Sequence, residues 1–177
     1  CHVGISAGGH LVAMARDTTV VIVNVNEKTG QLCGEESSDI TVVNDVCQNR
    51  HGVSVTSMLW LCQDGKTPRP PACLVIGCSD GCVRMFSASG ELLLVQVIHE
   101  APISKLQLRT MVLSHTVTAD TSEDLILLAG STLARMDAQE LQRSRALGAH
   151  EESTNQQVRF FRWTLEGQEV GDVICCG

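Results

Sequence analysis

The chain is short of positive charge: thirteen Lys and Arg against twenty Asp and Glu leave a formal charge of −7, and the basic residues are scattered along its length. A nucleic-acid surface needs Lys and Arg gathered in a stripe to displace phosphate counterions, so nucleic acid is not an expected partner. Long apolar runs are also lacking. Runs such as Val20 to Val23 and Leu125 to Ala129 fall far short of the ~20 residues of a membrane-spanning helix, and no transmembrane segment is expected. There is no Asn-x-Ser/Thr acceptor, and the first residues lack the basic and long apolar regions of a secretory signal, which points to a cytosolic address.

Metal and nucleotide signatures are missing as well. No Cys-x-x-Cys or His-x-x-x-His occurs, and His2, His10, His51, His99, His115 and His150 are dispersed, as surface or satisfied core histidines are. Gly8-Gly9 sits in a turn between apolar runs instead of opening a helix, so no phosphate-cradling loop is present. Neither a metal nor a cofactor is expected.

What remains suits a folded module. Apolar residues make up 44% and charged residues 19% of 177 residues, a length that fits one domain. Nine cysteines, an odd number irregularly spread, fit free buried thiols better than a disulfide framework. The chain opens on Cys1 and closes on the apolar run Val173-Ile174-Cys175-Cys176, so both ends are expected to be cut from something longer. The double cysteine lacks the polybasic run of a lipidated tail, and truncation inside a strand accounts for it more simply.

Short runs rich in Val, Ile, Leu and Met, separated by Gly, Asp, Asn and Ser, read as strands joined by turns. One group runs Val3 to Ile5, Leu11 to Ala15 and Val20 to Val23. A second runs Val55 to Leu61, Leu74 to Ile76, Val83 to Phe86 and Leu92 to Ile98, with Ser79-Asp80-Gly81 and Ala88-Ser89-Gly90 as hairpin turns. A third runs Leu106 to Leu108, Leu125 to Ala129 and Leu133 to Met136, and a fourth starts at Arg159 to Trp163. Their opening positions, Val3, Val55, Leu106 and Arg159, are 52, 51 and 53 residues apart, near the period of about 50 seen in propeller arrays. The fold class expected is all-β, a partial β-propeller of antiparallel four-stranded blades, WD-repeat-like. Blade-like units fall at about 1–50, 51–103 and 104–156, with the start of another at 157–177. Polar or Pro-rich loops are expected at Glu35 to Asp39 and Asp64 to Pro71, and a short helix at Asp137 to Arg145.

Three motifs carry chemistry on paper. Gly77-Cys78-Ser79-Asp80-Gly81 matches the Gly-x-Ser-x-Gly pattern of a hydrolase, with Ser79 as nucleophile, but that motif needs a helix next and Cys82 to Phe86 is a β run. Cys73, Cys78 and Cys82 gather as zinc thiolates do, yet without a second pair they read as buried thiols; a Cys78–Cys82 disulfide would need an oxidising compartment. Arg84 and Arg135 are of the residue type by which GTPase activators stabilise phosphoryl charge. They stand on strands between apolar neighbours, where a solvent-facing or ion-paired arginine is expected. No residue is therefore assigned a catalytic, cofactor-binding or metal-binding role, and no partner-binding residue is singled out.

The stretch Cys73 to Thr110 carries a strand entering Gly77, the step Gly81-x-Val83-Arg84, the Gly90 turn, Leu92-Leu93-Leu94, Gln96, Glu100-x-Pro102 and Arg109-Thr110. In these features it resembles the amino-terminal region of the Rab-three GTPase-activating protein non-catalytic (regulatory) subunit. Ile5-Ser6 through Gly9-x-Leu11 and Trp163 to Gly177 extend the resemblance. It implies a non-enzymatic scaffold subunit that binds a separate catalytic subunit, which holds the catalytic arginine, and modulates Rab GTPases. The family complex is similarly tied to GTP hydrolysis on Rab-three and exchange on Rab-eighteen, in vesicle trafficking. The implied location is the cytoplasm, peripheral at the endoplasmic reticulum through the complex. The alternatives are an interaction propeller of an unrelated complex and a serine hydrolase using Ser79.

Overall fold

A computed structural model describes residues 1–6, 9–25, 40–61, 73–112, 121–137, 139–141, 159–164 and 173–174. Within them the chain forms three antiparallel sheets, each a meander of sequence neighbours. The first sheet holds β1 (His2–Ile5), β2 (Leu11–Arg16), β3 (Thr19–Asn24) and β4 (Ile40–Val43). The second holds β5 (Val55–Leu61), β6 (Cys73–Cys78), β7 (Cys82–Ser87) and β8 (Leu92–Val97). The third holds β9 (Ile103–Val112), β10 (Thr121–Ala129), β11 (Thr132–Met136), β12 (Arg159–Thr164) and β13 (Val173–Ile174). This is the all-β, partial propeller architecture expected from the strand runs.

Side-chain alternation explains how the sheets stack. On β2, Leu11, Ala13 and Ala15 are buried while Met14 and Arg16 face out, so the first sheet has one covered face. On β6 and β7 all twelve residues are buried, because the second sheet is covered on both sides. Leu11, Ala13, Val20 and Ile22 meet Trp60, Leu74, Ile76 and Phe86 in the first seam. Leu61, Val75, Val83 and Met85 meet Leu106, Leu125, Leu127, Met136 and Phe160 in the second. Across the seams the backbones come closest at the first strands, where β1 lies against β5 and β5 against β9. The sheets thus fan outward from their opening strands.

Small residues permit this approach. A Cβ on Gly77 would stand 2.5 Å from Ile103 Cγ2 and from Ser57 Oγ, so β6 can sit under β9 only without a side chain there. Trp60 Nε1 donates to Gly4 O at 3.2 Å and Ser57 Oγ to Ile103 O at 3.3 Å, which satisfies polar groups inside the two seams.

Three segments differ from the sequence reading. The first group contains a fourth strand, Ile40–Val43, that the strand runs of the sequence do not include. The opening strand of the third group is longer than Leu106 to Leu108, running from Ile103. The strand at Arg159, expected to open a fourth unit, hydrogen-bonds instead to β11, with Leu133 opposite Trp163 and Arg135 opposite Phe161. The 53-residue step that ends there therefore links a first strand to a fourth strand, and only the 52- and 51-residue steps join opening strands of successive sheets. Of the helix expected at Asp137 to Arg145, one turn lies in the described residues. Asp137 caps it, its Oδ1 accepting from Glu140 N at 3.0 Å and its carbonyl from Leu141 N at 2.9 Å. The expected loops at 35–39 and 64–71, the double cysteine, His115 and His150 lie outside the described residues. No helix among the described residues is long and apolar enough to cross a membrane.

Candidate functional site

Among the described residues, charged and thiol groups gather around the β6–β7 turn. Gly81 takes φ +72° there, and a Cβ would lie 1.7 Å from His99 O, so the turn accepts glycine alone. The tight turn aims the Asp80 carboxylate back along β7. Its Oδ1 accepts from Cys82 N at 3.1 Å and Arg84 Nη1 at 3.2 Å, and its Oδ2 from Arg84 Nη2 at 2.8 Å and Arg50 Nη1 at 3.2 Å. Arg84 is fully buried, whereas Arg50, from the segment before β5, is half-exposed. Arg50 also approaches Cys82 Sγ at 3.8 Å.

Burial works to raise the pKa of Asp80, but the Arg84 hydrogen bonds, the Cys82 amide and the Arg84 charge outweigh it and hold the carboxyl down at about 2. For Arg84, burial opposes the charged form, and the bond to Asp80 more than offsets it, raising the pKa above its ordinary value. Cys78, Cys47 and Cys82 are buried free thiols around the same cation. Burial pushes Cys78 up to about 12 against the pull of Arg84, and pushes Cys47 and Cys82 up as well. Protonated thiols are poor nucleophiles and poor metal ligands. Among the described residues no three His, Cys, Asp or Glu side chains are grouped to hold a metal ion.

Ser79 sits in the same turn. Its N donates to Ser54 O at 2.9 Å and its Oγ accepts from Ser54 N at 3.0 Å, and the next element is strand β7. The strand-to-helix step that exposes a hydrolase nucleophile is not formed here. Ser79 instead ties the turn to the segment entering β5.

A second charged group crosses the third sheet. Asp124, fully buried on β10, receives Arg109 from β9 and Arg135 Nε from β11 at 2.9 Å, both on Oδ2. Arg84 and Arg135, the two arginines weighed as phosphoryl-stabilising groups, are thus both held by carboxylates. Arg84 is ion-paired as expected of a strand arginine, but inside the protein and not facing solvent. Sequence reasoning passed over the carboxylates themselves. Asp80 read as turn punctuation, although an Asp-Gly turn followed by Arg two residues into the strand is a pattern that brings the pair together across the turn. Nothing local marks Arg50, which arrives from 30 residues away.

Comparison with known proteins places this geometry. The family model described as "Rab3 GTPase-activating protein regulatory subunit N-terminus" matches residues 1–177. The Dos1 propeller superposes with a TM-score of 0.51 at 11% identity, covering 99% of this chain and 48% of that one. The Chaetomium thermophilum Sqt1, solved bound to the N-terminus of the ribosomal protein L10, superposes with a TM-score of 0.50 at 18% identity, covering 96% of this chain and 48% of that one. At these identities the two structures show the propeller fold alone. The chain spans about half the length of each.

Proposed function

The chain belongs to the Rab3 GTPase-activating protein regulatory subunit N-terminus family, and from that premise we propose that it is a non-catalytic scaffold. It binds the catalytic subunit of a Rab GTPase-activating complex and thereby modulates GTP hydrolysis by Rab GTPases. The observation that carries this reading is the match to the regulatory family along the whole chain. The held arginines support it: a residue that stabilises a transferring phosphoryl group must reach into a partner's site, whereas Arg84 is buried and engaged twice by Asp80. Stacked sheets with loop-lined ends offer contact surface of the kind that holds a protein partner. The complex works in vesicle trafficking from the cytoplasm, at the endoplasmic reticulum surface, with membrane contact made through the assembly.

Two measurements on the purified protein test this. It should be captured by the immobilised catalytic subunit, and it should leave the GTP hydrolysis rate of a Rab unchanged when that subunit is absent. Acceleration by the protein alone, or failure to bind the catalytic subunit, would overturn the proposal.

A further inference from the structure

On sequence, Cys78 has Cys82 as its nearest disulfide partner, across the β6–β7 turn. The structure gives the two thiols different neighbours. Cys82 Sγ is engaged locally, donating to Asp80 O at 3.9 Å and receiving Arg50 Nη1 at 3.8 Å. Cys78 instead meets Cys47, which arrives from the connection between β4 and β5, and the two thiols hydrogen-bond to each other. Both residues are fully buried in the first seam, and both are free thiols.

The segment that delivers Cys47 is a strained turn. Asp45, Gln48 and Asn49 take φ of +57°, +56° and +59°, the left-handed region that side chains other than glycine enter at a cost. Such a conformation persists where its surroundings hold it. Here Val46 N donates to Thr18 O at 2.8 Å, Asn49 N donates to Asp45 Oδ2, and Arg50 reaches over to Asp80. The turn belongs to no strand, so it can open without unpairing a sheet. One thiol on a segment that opens, in contact with a second on a fixed strand, is the arrangement of an oxidised cysteine and its resolving partner.

We propose that Cys47 and Cys78 are a redox modification site: a hydroperoxide converts them to a reversible disulfide that staples the β4–β5 connection to β6. With the turn closed, both thiols are shielded and protonated, which keeps the dithiol as the resting form. With the turn open, the Cys47 thiolate attacks the peroxide. An S–O bond forms, the O–O bond breaks, the leaving alkoxide or hydroxide takes up a proton, and Cys47 becomes a sulfenic acid. On closing, Cys78 attacks the Cys47 sulfur, its thiolate favoured by the charge of Arg84 beside it. The S–S bond forms as the S–O bond breaks, and the departing hydroxide takes the Cys78 proton and leaves as water. The two sulfurs lose the two electrons that the peroxide gains. The assignment is independent of the regulatory reading, because it concerns a pair of thiols inside the fold and not a partner.

The test uses the full-length polypeptide, treated with hydrogen peroxide while native, blocked with a maleimide in denaturant and digested without reduction. Mass spectrometry should find the Cys47 and Cys78 peptides joined, two hydrogens lighter than the separate pair. Maleimide label at both positions should fall together by at least about five-fold, Cys82 should keep its label, and dithiothreitol should restore the loss. Peroxide added after unfolding in urea should scatter the pairing over other cysteines, because only the fold brings these two together. In Cys78→Ser, Cys47 should stop at the sulfenic acid and be trapped by dimedone. A Cys78–Cys82 link, the same pairing in urea as in the native protein, or retention of both thiols under conditions that fully oxidise free cysteine would each refute the assignment.

Discussion

The second and third sheets each bind a carboxylate between arginines, but they bury opposite partners. At the β6–β7 turn the cation is inside: Arg84 is fully buried, while Asp80 sits near the surface with Arg50 half-exposed above it. Across the third sheet the anion is inside: Asp124 is fully buried, while Arg109 and Arg135 keep half and a third of their side chains in solvent. A buried charge is costly once its counter-charge is gone, whereas the exposed partner is easily rehydrated. The two sites should therefore respond in opposite ways to loss of acid or base.

The largest effects come from stranding the buried member. Asp80→Ala leaves the Arg84 guanidinium inside without its acceptor and should destabilise by about 3–5 kcal/mol, measured by urea unfolding. The counterpart is the double variant Arg109→Met/Arg135→Met, which strands Asp124 and should cost a comparable amount. If Asp80→Ala cost no more than a surface mutation, the reading of Arg84 as a buried, dependent cation would fall.

Acid titration sharpens the contrast at the turn. Asp80 is held at about 2 against an ordinary value of 3.8. A carboxyl whose pKa is lowered on folding gives its full stabilisation above the unfolded value and loses it as pH falls through the folded one. Between about pH 4 and pH 2, wild type should thus lose about 2 kcal/mol more than Asp80→Ala, as compared by urea unfolding at the two pH values.

Smaller effects follow when the buried member itself is removed and the more exposed one is left. Asp124→Asn leaves two solvated arginines, and Arg84→Met leaves Asp80 with Arg50 and the Cys82 amide. Each should cost about 1–2 kcal/mol, less than the corresponding stranding variant, and reversal of that order in either sheet would break the comparison. Arg50→Ala removes a half-exposed partner and should change stability by about 1 kcal/mol or less.

Much of this was legible in the sequence because it is local. The strands of the second sheet were readable from runs such as Cys73 to Cys78 and Cys82 to Ser87, and the Asp80-Gly81 turn from its chemistry, because turn type depends on backbone preferences of adjacent residues. Arg159 to Thr164 was readable as a strand but not as a member of the third sheet. Its partner is chosen by which edge is free next to it, and β11 offers that edge. The β4 strand is not among the runs read from the sequence, and it takes its order from pairing with β3, where Val42 meets Val21.

The all-β class, the antiparallel meanders and the regulatory family follow from residue type and spacing along the chain. Tertiary structure alone decided that Arg84 is a buried cation and that Asp124 is a buried anion. Those are properties of what surrounds a side chain, set by contacts between residues tens of positions apart, and the dielectric and packing that fix them exist only once the sheets stack.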